Sequence, residues 1–119
     1  MEFEFSIQPH KYEPGVVFEN APCHGVYIEV GNDDTYDWFQ EQGLEGNGYT
    51  ILALVDALCR LKLKADAGKY QMEAEADNTW VYGRELEPIN RLVAAFRLMT
   101  ADEASLKILI ESASRSLLE

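Results

Sequence analysis

Basic residues are scarce in this sequence. Ten Lys and Arg stand against 21 Asp and Glu, a formal net charge of −11. Nucleic acid and anionic membrane surfaces are held through Lys and Arg, so neither is an expected partner. Cysteine is almost absent. Cys23 and Cys59 supply no disulfide framework and no C-x-x-C. Cys59 falls in an apolar stretch with helical spacing and reads as a small core residue. Cys23 precedes His24, and neighbours in an extended segment point to opposite faces, which argues against a Cys–His dyad. His10 and His24 are the only histidines, with no third ligand at metal spacing, so no zinc site is expected. Long apolar runs are missing too, far short of a membrane span. The opening M-E-F-E-F-S-I has neither a basic n-region nor an apolar signal core. A cytoplasmic location is expected.

What is present suffices for one core. The 119 residues are 47% apolar, which predicts a single folded domain over 1–119. Residues 2–8 alternate, with Phe3, Phe5 and Ile7 on one side, and predict a strand with one wet face. Pro9 and Pro14 frame a loop. Residues 15–19 and 24–30 predict two further strands. Asp33 or Asp34 can cap a helix running to about Gln42, with Gly43 as its C′ residue. Tyr49–Lys62 carries Ile51, Leu54, Val55 and Leu58 on one stripe and predicts the central helix. Residues 70–76 and 79–82 predict a hairpin turning at Asp77-Asn78. A third helix starts near Pro88. Thr100-Ala-Asp-Glu103 reads as a capping box for a last helix reaching Leu117 and Leu118. The predicted class is α+β, an antiparallel sheet with helices packed on one face, in the order β-β-β-α-α-β-β-α-α.

The stretch G-L-E-G-N-G-Y-T at 43–50 poses the functional question. A phosphate loop needs backbone amides converging at a helix N-terminus after a strand, usually with a lysine. Here the spacing is G-x-x-G-x-G, no Gly-Lys-Ser/Thr follows, and Glu45 would repel a phosphate. A helix, not a strand, precedes it. The better reading is a tight helix-to-helix connector. Gly46 and Gly48 allow positive φ or a close backbone approach, and Asn47 can bond nearby amides or cap the next helix. No cofactor is expected.

Catalysis finds little support. Glu73 and Glu75 share a strand face, and such a pair usually marks a solvated surface. D-D-T-Y-D at 33–37 lacks the twelve-residue calcium-loop pattern. No Ser-centred nucleophile elbow occurs. The remaining signal is an exterior with acidic clusters at Asp33/Asp34/Asp37/Glu41/Glu45, Glu73/Glu75/Asp77 and Glu85/Glu87. Tyr36, Trp38, Tyr49, Trp80 and Tyr82 lie beside them in sequence. An acidic patch with aromatic anchors suits a binder of a basic protein. The candidate partner-binding residues are Asp33, Asp34, Asp37, Trp38, Glu41, Glu45, Asn47 and Tyr49. Core packing is the competing role for Trp38 and Trp80. The alternative function is a non-catalytic small-molecule or regulatory domain, with a ligand between sheet and helices near Tyr49 and Trp80.

E-G-N-G-Y-T at 45–50, opening an apolar helix after an acidic, aromatic one, resembles the immunity proteins of bacterial polymorphic toxin systems, in particular the group called immunity protein fifty-one. The later order, a hairpin and then a helix led by acidic residues, is also similar. The resemblance implies a cytoplasmic α+β protein that binds a cognate toxin and blocks it. An acidic inhibitor of that kind would fill a basic groove of the toxin and exclude its substrate.

Overall fold

The structure is a computed structural model describing residues 2–12 and 23–113. Among the described residues, four strands form one antiparallel sheet in the order β1-β2-β4-β3. β1 (Phe5–Tyr12) and β2 (Cys23–Val30) pair in the register Phe5↔Val30 to Tyr12↔Cys23. β3 (Gln71–Ala74) and β4 (Thr79–Gly83) form the hairpin expected around Asp77-Asn78, and β4 joins β2. The helices are α1 (Asp33–Glu41), α2 (Gly48–Lys62), α3 (Leu86–Met99) and α4 (Glu103–Ser112), with a single 3-10 turn at Lys64–Asp66 after α2. The fold is therefore α+β as the sequence pattern predicts. The expected strand at 15–19 and the end of the last helix, with Leu117 and Leu118, lie outside the described residues.

Side-chain alternation places Val26, Ile28 and Val81 on the face that the helices cover, all buried. α2 lies at the centre and buries Ile51, Leu54, Val55 and Leu58 completely. Leu92 and Phe96 of α3 and Leu106 and Leu109 of α4 complete the core. Each such side chain contributes about 1.5–3 kcal/mol on leaving water.

Three local expectations are corrected. Pro9 belongs to β1 and does not end it. β1 is an edge strand, and Gly31 N–H donates to Glu4 O (2.7 Å). The antiparallel alternation continued from that bond turns the backbone N of residue 9 away from β2, where a missing N–H costs nothing. The cap of α1 is Asn32, whose Oδ1 accepts from Thr35 N–H (2.8 Å). Asp33 and Asp34 are instead first-turn residues, where they suit the helix dipole. At α4, Asp102 caps by accepting from Ser105 N–H (2.8 Å). Thr100 closes α3, donating its hydroxyl to Phe96 O.

Candidate functional site

α1 follows from a division of labour among nine residues. Thr35, Trp38 and Phe39 are buried, which turns Asp33, Asp34, Asp37 and Glu41 outward, all exposed. Asp33, Asp37 and Glu41 are spaced i, i+4, i+8, and like charges at that spacing cost a few tenths of a kcal/mol per pair. No basic residue sits in the last turn to relieve them. The helix is nevertheless held firmly. Trp38 Nε1–H donates to Glu103 Oε1 of α4 (2.8 Å), and its ring meets Phe3 edge to face at 4.9 Å. At the other end, Asn32 Nδ2–H donates to Glu4 Oε2 (3.0 Å), and Glu4 N–H donates to Thr35 Oγ1 (2.8 Å). Glu4, the residue before β1, thus clips the start of α1.

The glycine-rich connector is a rigid corner. Gly43 and Gly46 have φ of 78° and 71°, the left-handed region that favours glycine. Gln40 Nε2–H donates to Glu45 O (2.7 Å), and Gly46 N–H donates to Thr50 Oγ1 (3.1 Å). Asn47 caps α2 with Oδ1 accepting from Thr50 N–H (3.1 Å), while its Nδ2–H donates to Glu45 Oε2 (2.7 Å). The Glu45 carboxylate is therefore exposed yet oriented. Tyr36 (44% exposed) and Tyr49 (51% exposed) flank the corner from α1 and α2.

The corner rests on the β3–β4 turn. Gly48 N–H donates to Ala76 O (3.2 Å), and the Thr79 hydroxyl donates to Gly48 O. Glu75 and Asp77 of that turn are exposed. Carboxylates far apart in sequence consequently share one end of the molecule: Asp33, Asp34, Asp37 and Glu41 on α1, Glu45 in the corner, Glu75 and Asp77 on the turn. None of the salt bridges among the described residues involves any of them.

Comparison with protein-family models, curated proteins and solved structures found no match. The site therefore stands on its own geometry. Asp33, Asp34, Asp37, Glu41, Glu45 and Tyr49 are brought together and exposed. Asn47 is half-buried and its amide is committed to the cap. Trp38 is a correction: at 5% exposure its ring packs in the core and presents no anchor to a partner. Tyr36 is the exposed aromatic residue on the outward side of α1.

The pattern that bounds this surface is an absence the expected residues did not use. No Lys or Arg occurs between Lys11 and Arg60, and none between Lys69 and Arg84. Those two stretches supply the acidic end. The cations Arg60, Lys62 and Lys64 sit at the opposite, C-terminal end of α2, about 20 Å away at 1.5 Å per residue.

Among the described residues, that opposite end holds the most perturbed ionisable groups. Arg91 donates to the buried Asp66 through Nε (2.8 Å) and Nη2 (2.7 Å). Those bonds hold the Asp66 carboxyl below the usual carboxylate range, with Tyr70 O–H (3.2 Å) adding to the effect against the burial that opposes it. Burial, then the Asp66 charge, pushes the Tyr70 phenol well up. A cavity of about 490 Å³ nearby is lined by Cys59, Arg60, Leu63, Lys64, Tyr70 and Met72 among others. Burial pushes the Cys59 thiol up to about 11, which leaves it protonated and a poor nucleophile near neutral pH. Tyr49 and Trp80 belong to different layers. Tyr49 is in the first turn of α2, whereas Trp80 alternates with the core residue Val81 and so points to the sheet face away from the helices. Among the described residues, no group of three or more His, Cys, Asp or Glu is placed to hold a metal ion, and no helix is long and apolar enough to cross a membrane.

Proposed function

We propose that this protein is an immunity protein that binds a cognate bacterial toxin with a basic surface and neutralises it by occupying that surface, without catalysis of its own. The observation that carries the reading is the acidic end: seven exposed carboxylates, Asp33, Asp34, Asp37, Glu41, Glu45, Glu75 and Asp77, on three joined segments and free of salt bridges among the described residues. Like charges gathered without counter-ions cost stability, and a partner that supplies the missing cations recovers that cost on binding. Rigidity adds to the argument. A pre-ordered corner loses little conformational entropy when a partner docks. The likeness of E-G-N-G-Y-T to the immunity protein fifty-one group points the same way.

The resemblance implies a protein encoded beside its toxin, so co-expression with the product of the adjacent gene tests the proposal. The wild-type protein should restore growth to cells producing that product and should co-purify with it. Asp37→Lys/Glu41→Lys should lower affinity by about tenfold or more through slower association, with its thermal midpoint within about 3 °C of wild type. Full affinity in that variant would exclude α1 as the contact. The cavity beside Tyr70 is the feature that favours the alternative, a small-molecule or regulatory domain. Saturable binding of a small apolar ligand there, with no protein partner recovered, would select it.

A further inference from the structure

In a protein with a net charge of −11, Arg60, Lys62 and Lys64 gather three of the ten basic residues within five positions. Two of them have an ordinary task. Arg60 and Lys62 sit in the last turn of α2, where a cation offsets the negative end of the helix dipole. Lys64 lies past the helix, in the 3-10 turn. It is exposed and enters none of the salt bridges among the described residues.

Lys64 and Arg60 both line the cavity of about 490 Å³ beside Tyr70. The cavity lies where the end of α2, which supplies Cys59, meets β3, which supplies Met72. Leu63 is buried, and Cys59, Tyr70 and Met72 are half-buried. The Tyr70 hydroxyl is bonded with Pro88 O (2.8 Å) and Asp66 Oδ2 (3.2 Å), which leaves its ring to the cavity. The Cys59 thiol stays protonated and acts as a small apolar group. The carboxylates nearby are already matched. Arg91 forks onto Asp66, and Arg60 pairs with Asp56 (3.1 Å). Arg60 also donates Nη2–H to Ser112 O of α4 (2.8 Å), so its guanidinium is held in place.

An apolar wall with cations at its mouth selects an amphipathic anion. The apolar body leaves water against Leu63, Tyr70 and Met72, and the flexible Met72 adapts to its shape. The anionic head meets Lys64, a compact ammonium on a long stem. A cationic head is repelled by Arg60 and Lys64, and a neutral one gains nothing from their charge.

We propose that this cavity is a binding site for a small amphipathic anion, one carboxylate on an aliphatic body, with Lys64 as the counter-charge of the head and Leu63, Tyr70 and Met72 as the wall for the body. The site is independent of the acidic end, about 20 Å away along α2. A ligand bound between α2 and β3 stabilises the fold by mass action.

The test titrates octanoate, octanol and octylamine at pH 7 into the wild-type protein and follows its amide resonances. Octanoate should move resonances of residues 59–72 saturably, raise the thermal midpoint and bind about threefold or more tighter than octylamine. Lys64→Gln should weaken octanoate about threefold, the scale of one exposed ion pair, and leave octanol unchanged. Ala67 is exposed and lines the cavity, so Ala67→Trp should fill it and abolish octanoate binding. If that variant does not fold, Lys64→Gln and the map of shifted resonances decide. If octylamine binds as tightly as octanoate, or Lys64→Gln leaves octanoate affinity unchanged, the preference for an anion is overturned. If octanoate moves no resonance among residues 59–72, the site itself is overturned. Neither failure touches capture of a basic partner by the acidic end, and failure of that capture leaves octanoate binding as it is.

Discussion

Gly48 has a sharper reason for being glycine than its neighbours. A Cβ there would lie 2.0 Å from Glu75 O and 2.3 Å from Asn78 O. Both are backbone atoms, so α2 and the β3–β4 turn would have to part. Gly43 is the opposite case. Its φ is 78°, but nothing lies within 4 Å of the added atom, so alanine there meets only the left-handed penalty of about 1–2 kcal/mol. Gly48→Ala should cost at least about 2–3 kcal/mol in urea unfolding, more than Gly43→Ala. Equal or reversed costs would contradict the contact. The sequence marks these positions as glycines with a conformational task but does not separate the two reasons. Positive φ is a local property that a turn pattern can suggest. A clash with residues 75 and 78 is a tertiary fact that becomes visible only when the hairpin is docked.

Among the elements, the cores of helices and strands were legible and their ends were not. The apolar stripe of α2 and the alternation of β1 and β4 are periodic over many residues, so their assignment is insensitive to any single side chain. A cap depends on one. Asn32 competes with Asp33 and Asp34 for the same role, and the winner is also bonded to Glu4, 28 residues away. Pro9 reads as a break unless the strand is known to lie at an edge. Trp38 misleads for a related reason: an aromatic between acidic residues resembles a surface anchor, but Phe3 and Glu103 pack on it from two distant parts of the chain.

A different tie at this scale predicts the acid response. Arg91 on α3 and Asp66 after α2 join two elements through two hydrogen bonds. Because Arg91 lowers the folded-state pKa of Asp66, the native protein binds that proton more weakly than the unfolded chain does. The contribution is complete above the unfolded carboxylate pKa of about 4 and is lost as pH falls through the lowered folded value. Asp66→Asn should be less stable than wild type at pH 7. Its stability should also fall less steeply below about pH 4, measured by urea titrations at several pH values. Parallel curves would show that the pair does not contribute to stability.

For the whole molecule, the arrangement of charge matters more than its sum. A net charge of −11 spread evenly would serve solubility. Here the two cation-free stretches, after Lys11 and after Lys69, come together where α1, the glycine corner and the β3–β4 turn meet, while Arg60, Lys62 and Lys64 mark the other end of α2. The sequence made the acidity and most of the contributing residues legible. It could not reveal that the turn carrying Glu75 and Asp77 rests against the start of α2, three residues from Glu45, because that contact depends on Gly48 seating against residues 75–78.

The central claim, that this acidic end captures a basic protein, is tested most directly by association kinetics with the purified product of the adjacent gene across a salt series. Charge-steered capture predicts an association rate constant that falls at least about tenfold between 20 mM and 500 mM salt, with dissociation nearly constant. An association rate indifferent to salt, or no complex at 20 mM, would contradict it.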